Sequence, residues 1–353
     1  PTRRSSDLVL HLLGGQTFKG GTCTFAIQLT RQRLPGIEQL IWMRRGFVPE
    51  ETDLPLVRGG RVSRVPASLW EDLLGGIVEA WPLKCWVANH RPVILHAHSR
   101  MGMVAGALAS KLTGVPLVLN FHFRARHRRV YQWLRSWTNA APVYNSRGTC
   151  EHYGGDPNQA LIVMPPILWP STPPLESGPP IRFVMAGTYV RWKNPHLVID
   201  AFNRLTAQGA EAQLVIYGRM DKPFDPVYEA EIVRLARTNP RIVLKAYDPA
   251  WLSHLSGTDI FVHAVQEEPF GIVILEAFAR GCRMVVPPGT FLDELPEPCR
   301  SAGICRLDRL EVSEAAAAME RALKQKVDAA AVWEQRKALR SRFDLASCAR
   351  SLQ

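Results

Sequence analysis

Short apolar runs alternate with longer amphipathic segments along the first half of the chain. Brief apolar runs bounded by turn residues favour buried strands, and longer periodic stretches favour helices. The pattern predicts strands at Leu8–Leu13, Glu38–Met43, Val93–His96 and Val115–Asn120, and helices at Phe25–Leu34 and Met103–Leu112. Strands that alternate with helices indicate βαβ units around a parallel sheet.

The same alternation begins again after a proline-rich stretch. Residues 169–180, WPSTPPLESGPP, contain five prolines, which neither a central strand nor a helix tolerates. Further strands are predicted at Ile181–Ala186, Gln213–Tyr217, Ile242–Lys245, Asp259–Val265 and Arg283–Val286. The intervening and final helices are predicted at Pro195–Leu205, Tyr228–Arg237, Trp251–Leu255, Phe270–Arg280, Ser313–Gln325 and Ala329–Arg342.

This pattern predicts two domains. The first would span residues 1–168, the linker 169–180 and the second domain 181–340, with a C-terminal helix at 341–353 packing back on the first domain. The chain length of 353 residues agrees with two domains, because single cores stop growing near 250–300 residues. The first eight residues, PTRRSSDL, resemble a translated sequencing adapter and are left out of the fold prediction.

Composition narrows the class of protein. Hydrophobic residues make up 46% and charged residues 21%, as in globular proteins. Neither a membrane-spanning helix nor a signal peptide is predicted. The seven cysteines form no Cys-x-x-Cys pair, which favours reduced thiols in the cytoplasm and argues against zinc. The net charge of +11 suits an anionic partner: nucleic acid, a membrane surface or an anionic substrate.

The segment EPFGIVILE, from Glu268 to Glu276, carries the strongest chemical signal and follows a predicted strand. Gly271 lets a ligand approach the backbone, and the N–H groups of Gly271, Ile272 and Val273 would bind an anion such as a diphosphate. Eight helical residues span about 12 Å, comparable with the distance from sugar to ribose across a diphosphate. One carboxylate would therefore hold a sugar and the other a ribose.

Other candidate residues follow the remaining strands. Gly187 begins a loop that carries Arg191 and Lys193, two cations suited to phosphate. His98 and His122 follow successive strands of the first half, where imidazoles contact hydroxyl groups or move protons. At the start of the first helix, Gly20 and Gly21 would bring backbone amides close to a ligand.

These motifs resemble those of glycosyltransferase family 4, whose E-x7-E segment matches Glu268 to Glu276. The resemblance covers nearly the whole chain. It implies an α/β protein of the GT-B fold, with two Rossmann-like doubly wound parallel-sheet domains facing a central cleft, and a retaining mechanism. It also implies that Glu276 binds the donor ribose and that Glu268 contacts the transferred sugar. Lys193 matches the family's loop lysine, whereas Thr188 stands at its usual arginine and Arg191 would replace the lost charge.

The resemblance thus assigns roles to the candidate residues. The catalytic candidates are His98, Glu268 and Lys193. The donor-binding candidates are Gly187, Arg191, Phe270, Gly271, Ile272, Val273 and Glu276. The candidates for a loop near the diphosphate or the acceptor are Gly20, Gly21 and His122.

The implied reaction is transfer of a hexose from a UDP- or GDP-linked sugar to a saccharide or lipid-linked acceptor, in cell-surface glycan biosynthesis. The sequence places no carboxylate as a glycosidase-type nucleophile, and the family is thought to use front-face substitution. It also offers no metal ligand set, so we predict a metal-independent enzyme without a cofactor.

A basic run from Arg124 to Arg129 precedes an apolar stripe at Val130, Trp133, Leu134 and Trp137. Such a helix either packs on its domain or contacts an anionic membrane at the inner face of the cell membrane. Two other functions remain open: a sugar-nucleotide epimerase of the same fold, and a non-catalytic sugar- or nucleic-acid-binding protein. Nucleic acid is not expected as a partner, because the sequence contains no nucleic-acid-binding module.

Overall fold

The computed structural model describes residues 7–14, 21–32, 35–44, 55–61, 68–167, 169–170, 178, 180–219, 225–248, 250–265, 268–297, 299 and 301–343. They form two compact units. The first contains the described residues up to Pro166 together with Phe343, and the second contains those from Ile167 to Arg342.

The first unit is built on a seven-stranded parallel sheet in the order β3-β2-β1-β4-β5-β6-β7. The chain runs in the order β1 (Asp7–Gly14), α1 (Gly21–Arg31), β2 (Ile37–Arg44), β3 (Leu56–Gly60), α2 (Leu69–His90), β4 (Ile94–Ala97), α3 (Arg100–Thr113), β5 (Leu117–Phe121), α4 (Arg128–Thr138), β6 (Ala141–Tyr144), α5 (Arg147–His152) and β7 (Leu161–Ile162).

The second unit has a six-stranded parallel sheet in the order β10-β9-β8-β11-β12-β13. Its strands and α-helices are β8 (Ile181–Ala186), α6 (Pro195–Ala207), β9 (Ala212–Arg219), α7 (Pro226–Ala236), β10 (Ile242–Ala246), β11 (Ile260–Val262), α8 (Ile272–Ala279), β12 (Arg283–Val286), β13 (Ile304–Arg306), α9 (Val312–Lys324), α10 (Ala329–Lys337) and α11 (Arg340–Phe343). Short 3₁₀ helices cover Arg191–Lys193, Trp251–His254 and Phe291–Glu294.

Side-chain alternation along β1 separates two layers of the first core. Leu10 and Leu12 are buried with residues of α3, whereas Leu13 is buried with Cys23 of α1. Because successive strand side chains point to opposite faces, His11 lies on the α1 side of the sheet. This polar residue is therefore buried on the same face of the sheet as Leu13.

The core of the second unit is apolar on both sides of its sheet, as expected for buried parallel strands. Phe183 of β8 packs edge-on against Phe202 of α6, with ring centroids 6.1 Å apart. Met319 of α9 is buried in the same cluster. The sheet leaves the loops beyond its carboxyl ends for ligand binding, as in other doubly wound folds.

Several helices and strands of the first unit were not predicted from the sequence, among them β3, β6, α5 and β7. The 22-residue helix α2 had no predicted counterpart, because Pro82 and the pair Gly75-Gly76 interrupt its pattern. Asp7 and Leu8, set aside with the foreign-looking segment, pair with Ile37 and Glu38 as the first residues of β1. Most of the predicted linker and residues 344–353 of the expected final helix lie outside the described residues.

A buried ion pair joins β8 to the turn before β11. Arg182 donates two hydrogen bonds to Asp259, Nε to Oδ1 at 2.9 Å and an Nη to Oδ2 at 2.7 Å. Asp259 is fully buried and also accepts from the Ser256 N–H at 2.8 Å. The carboxylate is thus fully hydrogen-bonded, and its role is structural.

We expect Asp259→Ala to lower the free energy of unfolding by about 3 kcal/mol, because it leaves the partly buried guanidinium of Arg182 bonded to the His254 carbonyl but without a counter-ion. Urea denaturation measures this change. Glu320→Ala, which removes an exposed partner of Lys324, is the matched control and should change stability by no more than about 0.5 kcal/mol. Equal effects of the two substitutions would contradict the assignment.

Candidate functional site

The loop between β11 and α8 is held by an aromatic contact and a left-handed glycine. Phe270 is buried and stacks on Phe291, with ring centroids 5.0 Å apart. Phe270 therefore anchors the loop in the core. Gly271 follows with φ 83° as the residue before α8.

Only glycine fits at position 271. A Cβ there would lie 2.5 Å from Cδ1 of Ile274 and 3.1 Å from Cγ of Glu268, and the positive φ would strain any other residue. The Gly271 carbonyl accepts from the N–H groups of Ile274 and Leu275. The N–H groups of the first helical residues, Ile272 and Val273, have no preceding turn to bind and form the anion-binding end of α8.

Glu268 lies just before this helix and interacts with His263 and Lys193. Its Oε2 is 3.2 Å from Nε2 of His263, which is buried at the end of β11. Burial lowers the pKa of Lys193, and the carboxylate of Glu268 opposes that shift. Lys193 and Glu268 therefore interact electrostatically in the folded protein.

Lys193 is positioned by the loop that follows β8. A Cβ on Gly187, whose φ is 149°, would lie 2.9 Å from the Lys193 ammonium nitrogen, so the lysine packs directly on the glycine. The Asn194 side chain donates from Nδ2 to the carbonyl of Ala264 at 2.8 Å. This bond ties the β8 loop to the end of β11, the neighbouring strand, and brings Lys193 to the Glu268 side of the sheet edge.

Glu276 lies in the second turn of α8 and is half-buried. Burial raises the pKa of its carboxyl to about 7, and a hydrogen bond with the side chain of Trp251 opposes this rise. Trp251 is itself held between the rings of Tyr217 and Phe261. A half-buried carboxyl that ionises near neutral pH suits hydrogen bonding to hydroxyl groups of a ligand.

Arg191 does not join this group. Its guanidinium lies over the ring of Tyr228, 4.7 Å from the centroid, and 3.5 Å from Oε2 of Glu231 on α7. The side chain is 64% exposed. The structure thus gives no support to the expected replacement of the family's loop arginine by Arg191.

The first unit contains a separate cluster of four histidines at the carboxyl ends of β1, β4 and β5. His11 pairs in register with His96, so their side chains share one face of the sheet. His98, two residues further along, lies on the same face. The ring of Phe25 on α1 covers His98 and His122, with centroid distances of 5.8 and 4.7 Å.

Both ring nitrogens of His98 are engaged by other histidines. Its Nε2 lies 2.9 Å from Nδ1 of His11, and its Nδ1 lies 3.1 Å from Nε2 of His122. His98 is also fully buried. The structure therefore gives no support to the choice of His98 over His122 as the catalytic imidazole. His122 is the last ring of this hydrogen-bonded series and is half-exposed.

Burial lowers the pKa of every histidine in this cluster. The pKa of His11 falls to about 4 and that of His122 to about 3. Those of His96 and His98 are lowered further by the neighbouring imidazoles. All four rings are therefore neutral at pH 7.

His11, His96 and His98 are also near enough to share a metal ion, since one nitrogen of each lies within 4.8 Å of the others. The hydrogen bonds of the His11 and His98 nitrogens already account for the short contact between these rings. Of the glycines expected near a ligand, Gly21 is the exposed first residue of α1, and Gly20 lies outside the described residues.

Several residues of the two sites were not among the predicted ones. His263, Trp251 and Asn194 support Glu268, Glu276 and Lys193 respectively. In the first unit, His11 lay inside a predicted strand, where a histidine within an apolar run was the available signal. Gln39 contacts His11 from β2, and no local sequence pattern indicates that pairing.

Two protein-family models match the chain. The model described as Glycosyl transferases group 1 matches residues 173–340, and the model of Glycosyltransferase Family 4 matches residues 31–153. No curated protein sequence matches significantly.

Solved structures resemble the chain over nearly its full length. HepE of Anabaena, in complex with UDP and glucose, has a TM-score of 0.74 and 18% identity over 98% of this chain and 97% of that one. Sucrose-phosphate synthase of Thermosynechococcus elongatus has a TM-score of 0.74 and 15% identity over the same shares. The lipopolysaccharide outer core galactosyltransferase WaaB, in its apo form, has a TM-score of 0.69 and 14% identity over 98% of each chain.

These likenesses confirm the GT-B fold expected from the sequence, with its two parallel-sheet α/β domains. The two family models match separate parts of the chain and point to the same class of enzyme. The protein is a glycosyltransferase, and it belongs to glycosyltransferase family 4.

Proposed function

We propose that the second unit binds a UDP- or GDP-linked sugar and that the enzyme transfers this sugar, with retention, to a saccharide or lipid-linked acceptor. The observation that carries the proposal is the grouping of Glu268, Lys193 and the free start of α8, with Glu276 one to two turns further along that helix. HepE has also been solved with UDP-glucose.

The donor would lie along α8. Glu276 would accept hydrogen bonds from the ribose hydroxyls, with the Trp251 side chain fixing the carboxyl. The N–H groups of Ile272 and Val273 would bind the diphosphate at the positive end of the helix. Glu268 would then face the sugar, two turns from the ribose.

Lys193 would stabilise the negative charge that develops on the leaving diphosphate. Its ammonium is partly desolvated, which strengthens its interaction with an anion. Because this lysine and the helix N-terminus supply positive charge, we propose that transfer does not require a metal ion. In the first unit, His122 supplies the imidazole for a substrate hydroxyl, in place of His98.

We expect nucleotide release from one member of a panel of UDP-, GDP- and ADP-sugars to increase when a saccharide or lipid-linked acceptor is added. Glu276→Gln should weaken donor binding about tenfold by titration calorimetry, because the amide loses the charge-assisted hydrogen bonds to the ribose. Glu334→Gln, on the exposed face of α10, is the control and should bind normally. Release that no acceptor stimulates would instead indicate an epimerase or hydrolase.

Donor affinity should also depend on pH through Glu276. Its pKa of about 7 in the free protein means that the carboxyl is mostly protonated at pH 6 and mostly ionised at pH 8. Ribose hydroxyls bind the ionised form, so affinity for an intact nucleotide sugar should rise about fivefold to tenfold between these pH values. Glu276→Gln should remove the dependence, and a pH-independent wild-type affinity would disprove the ribose assignment.

For the N-terminal unit we propose peripheral contact with anionic lipid through α4, at the inner face of the cell membrane. Tyr131 and Leu134 are the buried residues of this helix, whereas Trp133 and Trp137 point outward and stack, with ring centroids 5.3 Å apart. Exposed Arg128 and Arg129 begin the same helix. Exposed tryptophans beside arginines suit the lipid interface.

Helix α2 adds a second apolar row to this surface. Trp70, Leu74, Ile77 and Trp81 are all more than half exposed and recur at helical spacing. Both α2 and α4 pack against α3, so the two rows belong to one layer of helices. In the part of the chain that the structure describes, no helix is long and apolar enough to cross a bilayer.

We expect the protein to co-sediment with vesicles containing phosphatidylglycerol and to bind phosphatidylcholine vesicles much less. The double substitution Trp133→Ala, Trp137→Ala should weaken vesicle binding about tenfold by removing interfacial aromatic area. Val227→Ala, which shortens an exposed apolar residue of the second unit, should have no effect. Equal binding to both kinds of vesicle, or none, would refute the contact.

A further inference from the structure

The amide of Gln39 has a fixed orientation. Its Nε2 donates to the backbone carbonyls of Leu29 and Gln32, at 3.1 and 2.9 Å, at the end of α1. Carbonyl oxygens only accept hydrogen bonds, so the nitrogen of the amide must face them. The amide oxygen therefore faces His11, with Oε1 3.1 Å from Nε2 of that ring.

This orientation determines the tautomers of the histidines in turn. Because Gln39 Oε1 is an acceptor, Nε2 of His11 carries a proton, and the Nδ1 of this neutral ring carries a lone pair. Nε2 of His98 must then be the donor across the 2.9 Å contact, which leaves its Nδ1 as an acceptor. Nε2 of His122 donates to that atom across 3.1 Å.

This series of hydrogen-bonded histidines ends at a ring nitrogen of His122 that carries no proton. With its proton on Nε2, His122 retains a lone pair on Nδ1, and among the described residues no hydrogen-bond partner occupies that atom. Burial keeps the rings neutral. Each ring therefore has one donor and one acceptor nitrogen, which defines the direction of every hydrogen bond in the series. The edge-on contact of Phe25 with the His122 ring restricts its rotation.

We propose that Gln39 is a positioning residue that acts through His11 and His98 to hold His122 in the Nε2–H tautomer. Nδ1 of His122 is thereby kept as a hydrogen-bond acceptor for a hydroxyl group of the sugar substrates. The role of that hydroxyl rests on the proposed function, whereas the tautomer itself does not. Gln39 is linked to His122 through His11 and His98, and it sets the direction of the hydrogen bonds between these three rings.

Nitrogen NMR of protein labelled with ¹⁵N-histidine tests the tautomers directly. In the wild type, His11, His98 and His122 should each show a protonated Nε2 and a bare Nδ1, with each ring identified by the loss of its signals in the corresponding His→Asn variant. A proton on Nδ1 of His122 would overturn the proposal. So would a His11 Nδ1 and a His98 Nε2 that both lack protons, the signature of a shared metal ion.

Three substitutions separate the positioning role from a structural one. Gln39→Met keeps the side-chain length but removes the acceptor, and should give mixed tautomers at His11 and His122. Its kcat should fall about tenfold with the KM for the donor unchanged. In its protonated form, the side chain of Gln39→Glu again offers an acceptor to His11 and a donor to one of the two backbone carbonyls, so this variant should recover the Nε2–H tautomers and part of kcat.

Gln159→Met, at an exposed glutamine of the same unit, is the matched control and should behave as the wild type. Unchanged tautomers in Gln39→Met would overturn the proposal. Changed tautomers with unchanged kcat would leave Gln39 as the residue that sets the tautomer but would remove His122 from the reaction. The readouts therefore distinguish failure of this inference from failure of the proposed function.

Discussion

In the second unit, one hydrogen bond joins the loops that follow two neighbouring strands. The amide of Asn194 binds the carbonyl of Ala264 and so fixes the loop after β8 against the end of β11. Lys193, one residue earlier, lies on the backbone of Gly187 and interacts with Glu268 on the other loop. Parallel strands bring such loops to one edge, and this bond ties the loop that carries Lys193 to the end of the strand that precedes Glu268.

The first unit holds four neighbouring imidazoles, three of them buried, and three of the four rings are hydrogen-bonded to one another. His11, His98 and His122 use each other as donors and acceptors, and Gln39 supplies the oxygen at which the series starts. A buried polar network is tolerated when its members are satisfied. The same bonds make each ring dependent on its neighbour, so a change at one end alters the other.

The sequence was sufficient for the alternation of strands and helices in both units and for the placement of Gly271 before α8, because periodicity and glycine placement are local properties. It was insufficient for α2, since Pro82 lies inside a helix that tertiary packing preserves. Strand position alone also does not reveal that both ring nitrogens of His98 are engaged by other histidines. Likewise Arg191 carries a suitable charge but contacts Glu231, across the unit's own surface.

The close approach of Gly218 to Gly187 links β9 to the loop that carries Lys193. A Cβ at Gly218 would lie 2.0 Å from the carbonyl oxygen of Gly187, so any side chain there would push the β8 loop and Lys193 with it. In a saturation screen for lost activity, Gly218 would score like a catalytic residue although it carries no functional group. Variation at this position among relatives would accordingly report on loop geometry, not on chemistry.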